Sequence, residues 1–456
     1  MKNNLKTIIL AGGFGQRMNS ETPKALHKVL DKTLLDCILD SCKQADLKDI
    51  YIIVGYKHEL IEEKYKDENV TFVLQEKQLG TGHAIMCAKE YIKDTDNILI
   101  INGDMPLLSK ESINGAISHF TSNNFAAMIT TVIIDDPTGY GRIVRDVNGN
   151  FENNIQQKDA TEAELKIKEA DLGMYLFKGK WLKKSFDKLS TNNAQKEYYL
   201  TDTLFHIKGF EKNVGVYTLE NNIEAVNVNS KKDLAKMSKI YFSRINDIHL
   251  SNGVIITSPE NTYISQDAII GKDTVIYPGT IIEGKTVIGN NCFIGPNSRI
   301  IDSKIGNNTN IDSSKIMSSI IKDNVSIGPF SLIRNETIIG SYTNVGPYCE
   351  IKKSNLAEKV KASHHLYLGD CEIGNDVEIG CGTITANFNI HEEKHKTIIK
   401  DNVFIGSNVN LLAPITIEKD SIIAAGSTIT ENVKASSLAI ARAFQVNKDE
   451  WAKNNK

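Results

Sequence analysis

A glycine-rich loop near the start of the 456-residue sequence is the first segment suited to chemistry. It follows a short apolar run and reads Leu10, Ala11, Gly12, Gly13, then Arg17 after three more residues. Glycines let backbone N–H groups approach a phosphate closely, and a basic side chain adds positive charge. Lys24, directly after a proline, is expected to meet a phosphate too. The loop is neither the dinucleotide fingerprint nor a P-loop.

Two further segments lie just after apolar runs. Gln75 is placed to read a base edge, and the turn that contains Gly80 and Thr81 permits close backbone approach. Asn102, Gly103 and Asp104 follow the most apolar run. A carboxylate there suits a Mg2+ ion that bridges phosphates, although an Asp that caps the next helix is the alternative. The amide oxygen of Asn227 is a candidate for a second metal ligand.

The second half offers a different chemistry. Acetyl transfer from a thioester to an amine needs a base for the amine proton, and His364 and His365 are adjacent candidates. A histidine is more often structural than catalytic, so this pair by itself does not identify a catalytic base. The stretch from 381 to 400 is rich in hydrogen-bonding groups and interrupts a repeat. It is predicted to leave the repeat as a loop and to reach a neighbouring molecule, the alternative being a tolerated surface insertion.

The elements that position the first set of residues form an α/β pattern. Apolar runs at 7–10, 50–55, 70–74 and 98–101 alternate with helix-compatible segments, which indicates a mostly parallel sheet with Rossmann-like connections. Ligands of such sheets bind at the carboxyl ends of the strands. An amphipathic helix is predicted at 230–250 from the spacing of Leu234, Met237, Tyr241, Ile245 and Ile248.

A six-residue period takes over from about residue 251. A solenoid fits this period, with one short strand and one corner per hexapeptide and three hexapeptides per coil. The sequence therefore predicts domains at 1–229 and 251–456, the second a parallel β-helix, joined by the helix at 230–250. The aliphatic positions are Ile264, Ile270, Ile276, Ile282, Ile288, Ile294, Ile300, Ile321, Ile327, Ile333, Ile339, Val345, Ile351, Ile399, Ile405, Leu411, Ile417, Ile423 and Ile429.

Composition narrows the class of protein. The formal charge of -3 argues against a nucleic-acid binder, and no apolar run is long enough for a transmembrane segment. The N-terminus lacks the apolar core of a signal peptide. Seven scattered cysteines without a CxxC pair are expected to be free thiols in a cytoplasmic protein.

Together these motifs resemble a known family. The glycine loop, the Pro-Lys pair, the segment QLGTGHA, the Gly-Asp pair and GYGR are similar to those of sugar-1-phosphate nucleotidylyltransferases. With the hexapeptide repeats, nearly the whole chain resembles the bifunctional bacterial N-acetylglucosamine-1-phosphate uridyltransferase/glucosamine-1-phosphate acetyltransferases. The resemblance implies a left-handed β-helix, Mg2+ as cofactor, acetyl-CoA, UTP and sugar 1-phosphates as substrates, and a homotrimer.

The resemblance also implies residue roles in the uridyltransferase half. Arg17 and Lys24 stand at its catalytic basic positions, and Asp104 and Asn227 at its metal ligands. Positions for UTP and its sugar-nucleotide product are Leu10, Ala11, Gly12, Gly13, Lys24, Gln75, Gly80, Thr81, Asn102, Gly103, Asp104, Gly141, Gln156, Asp171 and Asn227.

In the acetyltransferase half the family motif His-x-x-Tyr-Leu-Gly-Asp selects His364 as the catalytic base. The glucosamine-phosphate positions are Arg334, Lys352, Tyr367, Glu378 and Lys394. The acetyl-CoA positions are Cys381, Asn387, Phe388, Ser407, Ala425 and Arg442.

Four of the expected binding positions depart from the family pattern. The family usually has Glu where this chain has Gln156 and Asn where it has Asp171, which we interpret as a compensated exchange on one sugar. Glu378 replaces an Asn, and Phe388 replaces a Tyr. These departures motivate an alternative, a nucleotidylyltransferase with altered sugar specificity whose acyltransferase is lost or changed. A regulatory or scaffold protein of the same layout is a third hypothesis, which the joint presence of Lys24, Asp104 and Asn227 opposes.

Overall fold

A nine-stranded mixed sheet organises the first half of the chain in the computed structural model, which describes residues 4–455. The chain divides into two compact units, Met1–Tyr241 and Phe242–Lys456. The strands of the first unit, including a separate two-stranded pair β2–β3, are β1 (Leu5–Leu10), β2 (Lys28–Val29), β3 (Lys32–Thr33), β4 (Asp49–Val54), β5 (Thr71–Leu74), β6 (Asn97–Asn102), β7 (Ala127–Ile133), β8 (Arg142–Arg145), β9 (Phe151–Ile155), β10 (Glu169–Lys178) and β11 (Val214–Leu219).

The strand order is β11-β7-β10-β6-β1-β4-β5, and the hairpin β8–β9 joins through β10. Strands β6, β1, β4 and β5 are parallel, as the sequence predicts. Strand β10 is antiparallel to both of its neighbours in this order, so the sheet is mixed. The parallel strands are mostly apolar because helices cover both faces of the sheet, and two buried clusters lie on its two sides. Their carboxyl ends bring residues 10, 54, 74 and 102 to one edge.

The described residues contain eight α-helices. Helix α1 begins with a capping box between Thr33 and Asp36, which satisfies two otherwise free N–H groups. None of the helices within residues 4–455 is long and apolar enough to cross a membrane. The helices are α1 (Leu34–Gln44), α2 (His58–Lys64), α3 (Thr81–Cys87), α4 (Lys110–Ser122), α5 (Gly179–Phe186), α6 (Asp202–Gly209), α7 (Lys231–Ser251) and α8 (Trp451–Asn454).

Helix α7 is the helix predicted at 230–250, and the division between the two units falls inside it. Met237, Tyr241 and Ile245 are buried as expected. Ile248 is 60% exposed, contrary to the predicted stripe, and Asn246 is fully buried instead. Asn246 Nδ2 donates to the carbonyl oxygens of Pro259 and Thr262 at 2.8 and 3.1 Å, so a polar anchor holds this end of the helix.

The second unit is a left-handed parallel β-helix with three sheets. Every aliphatic residue of the predicted six-residue repeat is buried in its interior. Face one has the strands Ile255–Ile256, Val275–Ile276, Phe293–Ile294, Asn310–Ile311, Ser326–Ile327, Asn344–Val345, Lys361–Ala362, Glu378–Ile379, Phe404–Ile405, Ile422–Ile423 and Leu438–Ala439. Face two has Tyr263–Ile264, Ile281–Glu283, Arg299–Ile301, Lys315–Met317, Leu332–Arg334, Cys349–Lys352, Leu366–Gly369, Ile384–Ala386, Asn410–Leu412 and Thr428–Ile429. Face three has Ile269–Ile270, Val287–Ile288, Lys304–Ile305, Ile320–Ile321, Ile338–Ile339, Asn355–Leu356, Cys371–Ile373, Thr397–Ile399 and Ile415–Ile417.

The observed loop is shorter than the stretch from 381 to 400 that the sequence predicts to leave the repeat. Strands Ile384–Ala386 and Thr397–Ile399 stay in the coil, so only residues 387–396 leave it. The segment folds back on itself through a bridge between Phe388 and Lys394. The sequence overestimates the loop because Thr385 and Thr397 occupy buried, inward positions of these strands, where the repeat leads one to expect aliphatic residues.

Candidate active sites

Lys24 meets the end of strand β6 in the first unit. Its Nζ lies 2.7 Å from Asp104 Oδ2 and donates to Asn229 Oδ1 at 2.8 Å. Sequence reasoning missed Asn229. Asn227 and Asn229 are two residues apart, with one apolar residue between them. In extended backbone, side chains at this spacing lie on the same side. The contact places one ammonium group between an acidic and an amide oxygen.

The two residues expected to bind a metal each retain an unused oxygen. Asp104 Oδ1 and Asn227 Oδ1 are both buried and have no hydrogen-bond partner. The Val228 N–H donates to the Asp104 carbonyl oxygen at 3.0 Å, which ties the two segments together. A carboxylate and an amide oxygen are the hard ligands that Mg2+ takes while waters and phosphates fill its other positions. The donor set therefore fits the ion, and the described residues contain no cluster of three or more acidic, His or Cys ligands.

The glycine loop packs between the ends of β1, β4 and β6. The Gly103 N–H donates to the Leu10 carbonyl oxygen at 2.9 Å, and the Gly12 carbonyl oxygen accepts from the Tyr56 N–H at 3.3 Å. A side chain on Gly103 would lie 2.4 Å from the Leu10 oxygen, so this approach requires glycine. Ala11 and Gly13 lie in the same loop, where Gly13 is exposed. Arg17 is also exposed, which leaves its guanidinium available to an anion.

The residues expected at the base end form one contact group. Gln75 is buried, and its Nε2 donates to the Gly80 carbonyl oxygen at 3.1 Å. Thr81 Oγ1 accepts from the Leu200 N–H at 3.1 Å, and the N–H of the next residue donates to the Tyr198 carbonyl oxygen at 2.7 Å. The segment 198–201 therefore closes this end of the site, although no motif in the sequence pointed to it.

The residues expected at the sugar end lie around the hairpin β8–β9. The Asp171 N–H donates to the Gly141 carbonyl oxygen at 3.0 Å. Gln156 Nε2 lies 3.4 Å from Thr201 Oγ1. The carboxylate of Asp171 accepts from Asn154 Nδ2 at 2.7 Å. Sequence reasoning missed Asn154, and its contact shows that the carboxylate is engaged by a residue other than Gln156.

Two carboxyl groups near this end are perturbed by burial. Burial raises the pKa of Asp171, while hydrogen bonds from Tyr175, Asn154 and the Gly173 N–H oppose the shift. Burial also raises the pKa of Asp202 to about 6, with a smaller contribution from the charge of Asp159. A buried carboxylate with three donors is held in one orientation.

In the β-helix, four residues predicted for acetyl transfer form a column along one corner. Strand partners on face one run Lys361, Glu378, Phe404 and Ile422. Each column residue comes three positions after one of these partners, at the corner that leads to face two. All four are exposed. They are His364, Cys381, Ser407 and Ala425. Arg442 is exposed near the end of this column, 3.8 Å from the place of a side chain on Gly426.

Face two carries the other expected sugar-phosphate contacts. Arg334 pairs with Lys352 in the strand register, and Glu350 pairs with Tyr367. The Arg334 guanidinium donates to Glu350 Oε1 at 2.7 and 3.0 Å. Asn387 is 6% exposed, and its amide donates to the Asp370 carboxylate. The two cations and the phenol thus share one face, with one cation partly neutralised.

Two predicted contacts lie elsewhere. Glu378 belongs to face one and forms an exposed ion pair with Lys361 at 3.2 Å. Lys394 lies in the expelled loop, where it is exposed, and Phe388 is 60% exposed there. Within one chain Glu378 therefore lies on a different face from Tyr367.

An exposed aromatic pair adjoins the corner column. Phe330 and Tyr348 stack with ring centroids 5.5 Å apart, and both have positive φ, at 61° and 57°. Left-handed backbone is unfavourable for aromatic residues, so such positions are often functional. Other described residues with positive φ at this corner include Asn297, Asn408 and glycines, which tolerate left-handed backbone better than aromatic residues do. Backbone preference therefore does not explain the aromatic pair.

Comparison with known proteins supports the predicted domain type of both halves of the chain. Residues 7–147 match the MobA-like NTP transferase domain, 259–354 the GMPPB C-terminal domain, and 396–431 the bacterial transferase hexapeptide model with six repeats. The Bifunctional protein GlmU of Clostridium tetani is 46% identical over 98% of each chain, and that of Clostridium acetobutylicum is 43% identical over 97% of each chain. This chain belongs to the GlmU family. A solved UDP-glucose pyrophosphorylase with UDP-glucose aligns at a TM-score of 0.45 and 17% identity, over 52% of this chain and 98% of that one.

As a GlmU-family member, the chain is a bifunctional enzyme with uridyltransferase and glucosamine-1-phosphate acetyltransferase activities. The fold class and the enzyme class predicted from the sequence are confirmed. Family membership does not support the regulatory hypothesis. The roles of the individual residues stay predictions.

Proposed function

We propose that this GlmU-family chain makes UDP-N-acetylglucosamine at two separate sites, with acetyl-CoA-dependent N-acetylation of glucosamine 1-phosphate preceding uridylyl transfer. Residues 1–229 would carry the uridyltransferase, 230–250 the linker helix and 251–456 the acetyltransferase. The observation that carries the proposal is the pair of buried, unused oxygens of Asp104 and Asn227 beside the Lys24 ammonium. A divalent cation and phosphates satisfy this arrangement, whereas a scaffold gains nothing from it.

In uridylyl transfer, a phosphate oxygen of N-acetylglucosamine 1-phosphate attacks the α-phosphorus of UTP. The bond to the bridging oxygen breaks and pyrophosphate leaves with that electron pair. Asp104 and Asn227 would hold Mg2+, which neutralises phosphate charge when bound. Lys24 and the exposed Arg17 bind the phosphates, and the loop at 10–13 places backbone N–H groups against them. Gln75, Gly80 and Thr81 position the base.

In acetyl transfer, His364 accepts the proton of the substrate amine as the nitrogen attacks the thioester carbonyl. The thiolate of coenzyme A then leaves and takes up a proton. The corner column supports this role, since His364 lies in line with the coenzyme A positions Cys381, Ser407 and Ala425. Arg334, Lys352 and Tyr367 on face two bind the sugar phosphate next to this corner. Asn387 and Phe388 lie at the start of the expelled loop and line the acetyl end.

We further propose a homotrimer with shared acetyltransferase sites. Glu378 and Tyr367 project from different faces of one prism, so one substrate meets both only when a second chain supplies one of them. The interior is filled by aliphatic side chains, which leaves grooves between prisms as the binding places. Lys394 and Phe388 on the expelled loop and Arg442 near the C-terminus are exposed and suited to cross such a groove. The seven free cysteines fit a cytoplasmic protein.

The test uses the full-length chain with two assays. Release of free thiol from acetyl-CoA follows acetylation of glucosamine 1-phosphate, and release of pyrophosphate from UTP follows uridylyl transfer. We expect both activities, with a chelator of divalent cations abolishing only the second. Mass spectrometry should find UDP-N-acetylglucosamine. Absence of either activity from folded protein, or chelator-resistant uridylyl transfer, would overturn the corresponding half of the proposal.

A further inference from the structure

Asn154 on strand β9 is a buried amide with one unused acceptor. The residue is 6% exposed, and its Oδ1 has no hydrogen-bond partner. A buried acceptor without a partner costs on the order of 1–3 kcal/mol, so a retained one calls for an explanation. Packing alone does not explain this residue, because an inward-facing position on a strand favours an apolar side chain.

The orientation of this amide is fixed by Asp171. The Asp171 carboxylate can only accept, and it takes hydrogen bonds from Asn154 Nδ2 at 2.7 Å, Tyr175 Oη at 2.7 Å and the Gly173 N–H at 2.9 Å. With Nδ2 committed to the carboxylate, Oδ1 must point the other way. The Asp171 carboxylate therefore fixes the orientation of the Asn154 side chain, and Asn154 Oδ1 faces Gly141.

Gly141 lies between this acceptor and a donor. A side-chain carbon on residue 141 would be 2.4 Å from Asn154 Oδ1 and 3.3 Å from Gln156 Nε2. The acceptor and the donor thus lie side by side against residue 141, and the 2.4 Å approach requires glycine there. This pair lies near the metal-binding end of the site, because the place of a side chain on Gly173, two residues after Asp171, is 2.5 Å from Asn102 Nδ2.

A secondary amide presents the complementary pair, an N–H that donates and a C=O that accepts. We propose that Asn154 Oδ1 and Gln156 Nε2 read the acetamido group of the sugar 1-phosphate, with Asp171 as the residue that positions Asn154. This rests on the proposed function, in which the sugar is N-acetylated before uridylyl transfer. It also gives the exchanged residues at 156 and 171 a new arrangement of roles, in which the carboxylate orients an amide and does not contact the sugar.

The test compares two sugars in the uridylyl transfer assay. N-Acetylglucosamine 1-phosphate carries the acetamido group, and glucose 1-phosphate has a hydroxyl in its place. We expect Asn154→Leu to lower kcat/KM for the acetylated sugar by about 10- to 100-fold, the loss expected for a buried polar group without its partner. Turnover of glucose 1-phosphate should change by less than about threefold, so selectivity falls. Gln156→Leu should also lower selectivity, and it keeps the Asn154–Asp171 contact if Asn154→Leu fails to fold.

Two matched variants separate recognition from folding. The double variant Asn154→Asp/Asp171→Asn reverses the hydrogen bond and keeps an acceptor at 154, so selectivity should persist. Glu152→Leu alters an exposed residue on the same strand and should leave selectivity unchanged. UTP binding by calorimetry reports whether each variant is folded. If wild type fails to use N-acetylglucosamine 1-phosphate, the proposed function fails. If wild type uses it but Asn154→Leu and Gln156→Leu slow both sugars equally, the acetamido assignment fails.

Discussion

The Lys24 ammonium lies 2.7 Å from Asp104 Oδ2, while Asp104 Oδ1 and Asn227 Oδ1 remain buried and unpaired. One oxygen of the Asp104 carboxylate thus pairs with Lys24, and the other has no hydrogen-bond partner. Asn229 accepts from the same ammonium at 2.8 Å and holds it in this position. The arrangement links the proposed phosphate-binding lysine directly to the proposed metal ligands.

The first prediction is that the two activities are separable. Asp104→Ala or Lys24→Ala should lower uridylyl transfer at least about 100-fold, roughly the loss of one charge-stabilising group. Acetyl transfer by the same proteins should stay within about twofold of wild type, since its residues lie in the second unit. Parallel assays of pyrophosphate and thiol release measure this. A folded Asp104→Ala protein without either activity contradicts the two-site arrangement.

The second prediction concerns Asp171. The exchange with Gln156 suggests coupling between those two residues, but the hydrogen bonds place the partner at Asn154. We expect a double-mutant cycle on kcat/KM with Asn154→Ala and Asp171→Ala to give a coupling of about 1–3 kcal/mol, and a cycle with Gln156→Ala and Asp171→Ala to be nearly additive. Strong coupling only in the second cycle would restore the direct exchange of roles.

The third prediction separates the two histidines. His364→Ala should remove most acetyl transfer at neutral pH, because His364 lies in the column with Cys381 and Ser407. His365→Ala should keep most of it, and uridylyl transfer should be unaffected by both changes. Thiol release across a range of pH values measures the effect. The opposite ranking would move the base by one residue and shift the alignment of the whole motif.

The fourth prediction concerns pH and stability. Asp202 begins α6, and burial raises the pKa of its carboxyl to about 6, above the unfolded value of about 3.9. The folded state therefore binds this proton more tightly, and the group destabilises the fold increasingly as pH rises from about 4 to 6. We expect Asp202→Asn to stabilise the first unit by about 1–3 kcal/mol at pH 7.5 and by nearly nothing at pH 4. Urea unfolding at several pH values measures this, and a difference independent of pH would contradict it.

The fifth prediction tests shared acetyltransferase sites. His364→Ala and Lys394→Ala proteins should each be inactive in acetyl transfer. Unfolded and refolded together, they should regain part of the activity, because some interfaces of mixed trimers receive two intact partners. Wild type refolded in the same way is the control. Native mass measurement that finds only monomers, or inactive mixed trimers beside active wild type, would rule out sharing.

The sequence predicts the β-helix well because its signal is local and repeated. Residues such as Ile264 and Ile270 recur with a fixed period, and each coil imposes the same burial on the next. The ends of β1 and β6 were also predictable, since buried parallel strands are continuous apolar runs followed by glycines and polar residues. Family motifs then supplied roles that spacing alone left open, such as the choice of His364 over His365.

The amino-acid sequence by itself determined the two kinds of architecture and the segments that carry chemistry. Only the tertiary structure decided that Asn154 engages Asp171, that Asn229 shares Lys24 with Asp104, and that Glu378 and Tyr367 occupy different faces. These contacts join residues 17 to 205 positions apart or depend on the corner between two faces. A hydrogen bond depends on the distance and direction between two atoms in space, and neither residue type nor local periodicity encodes that distance when separate segments of the chain supply the two atoms.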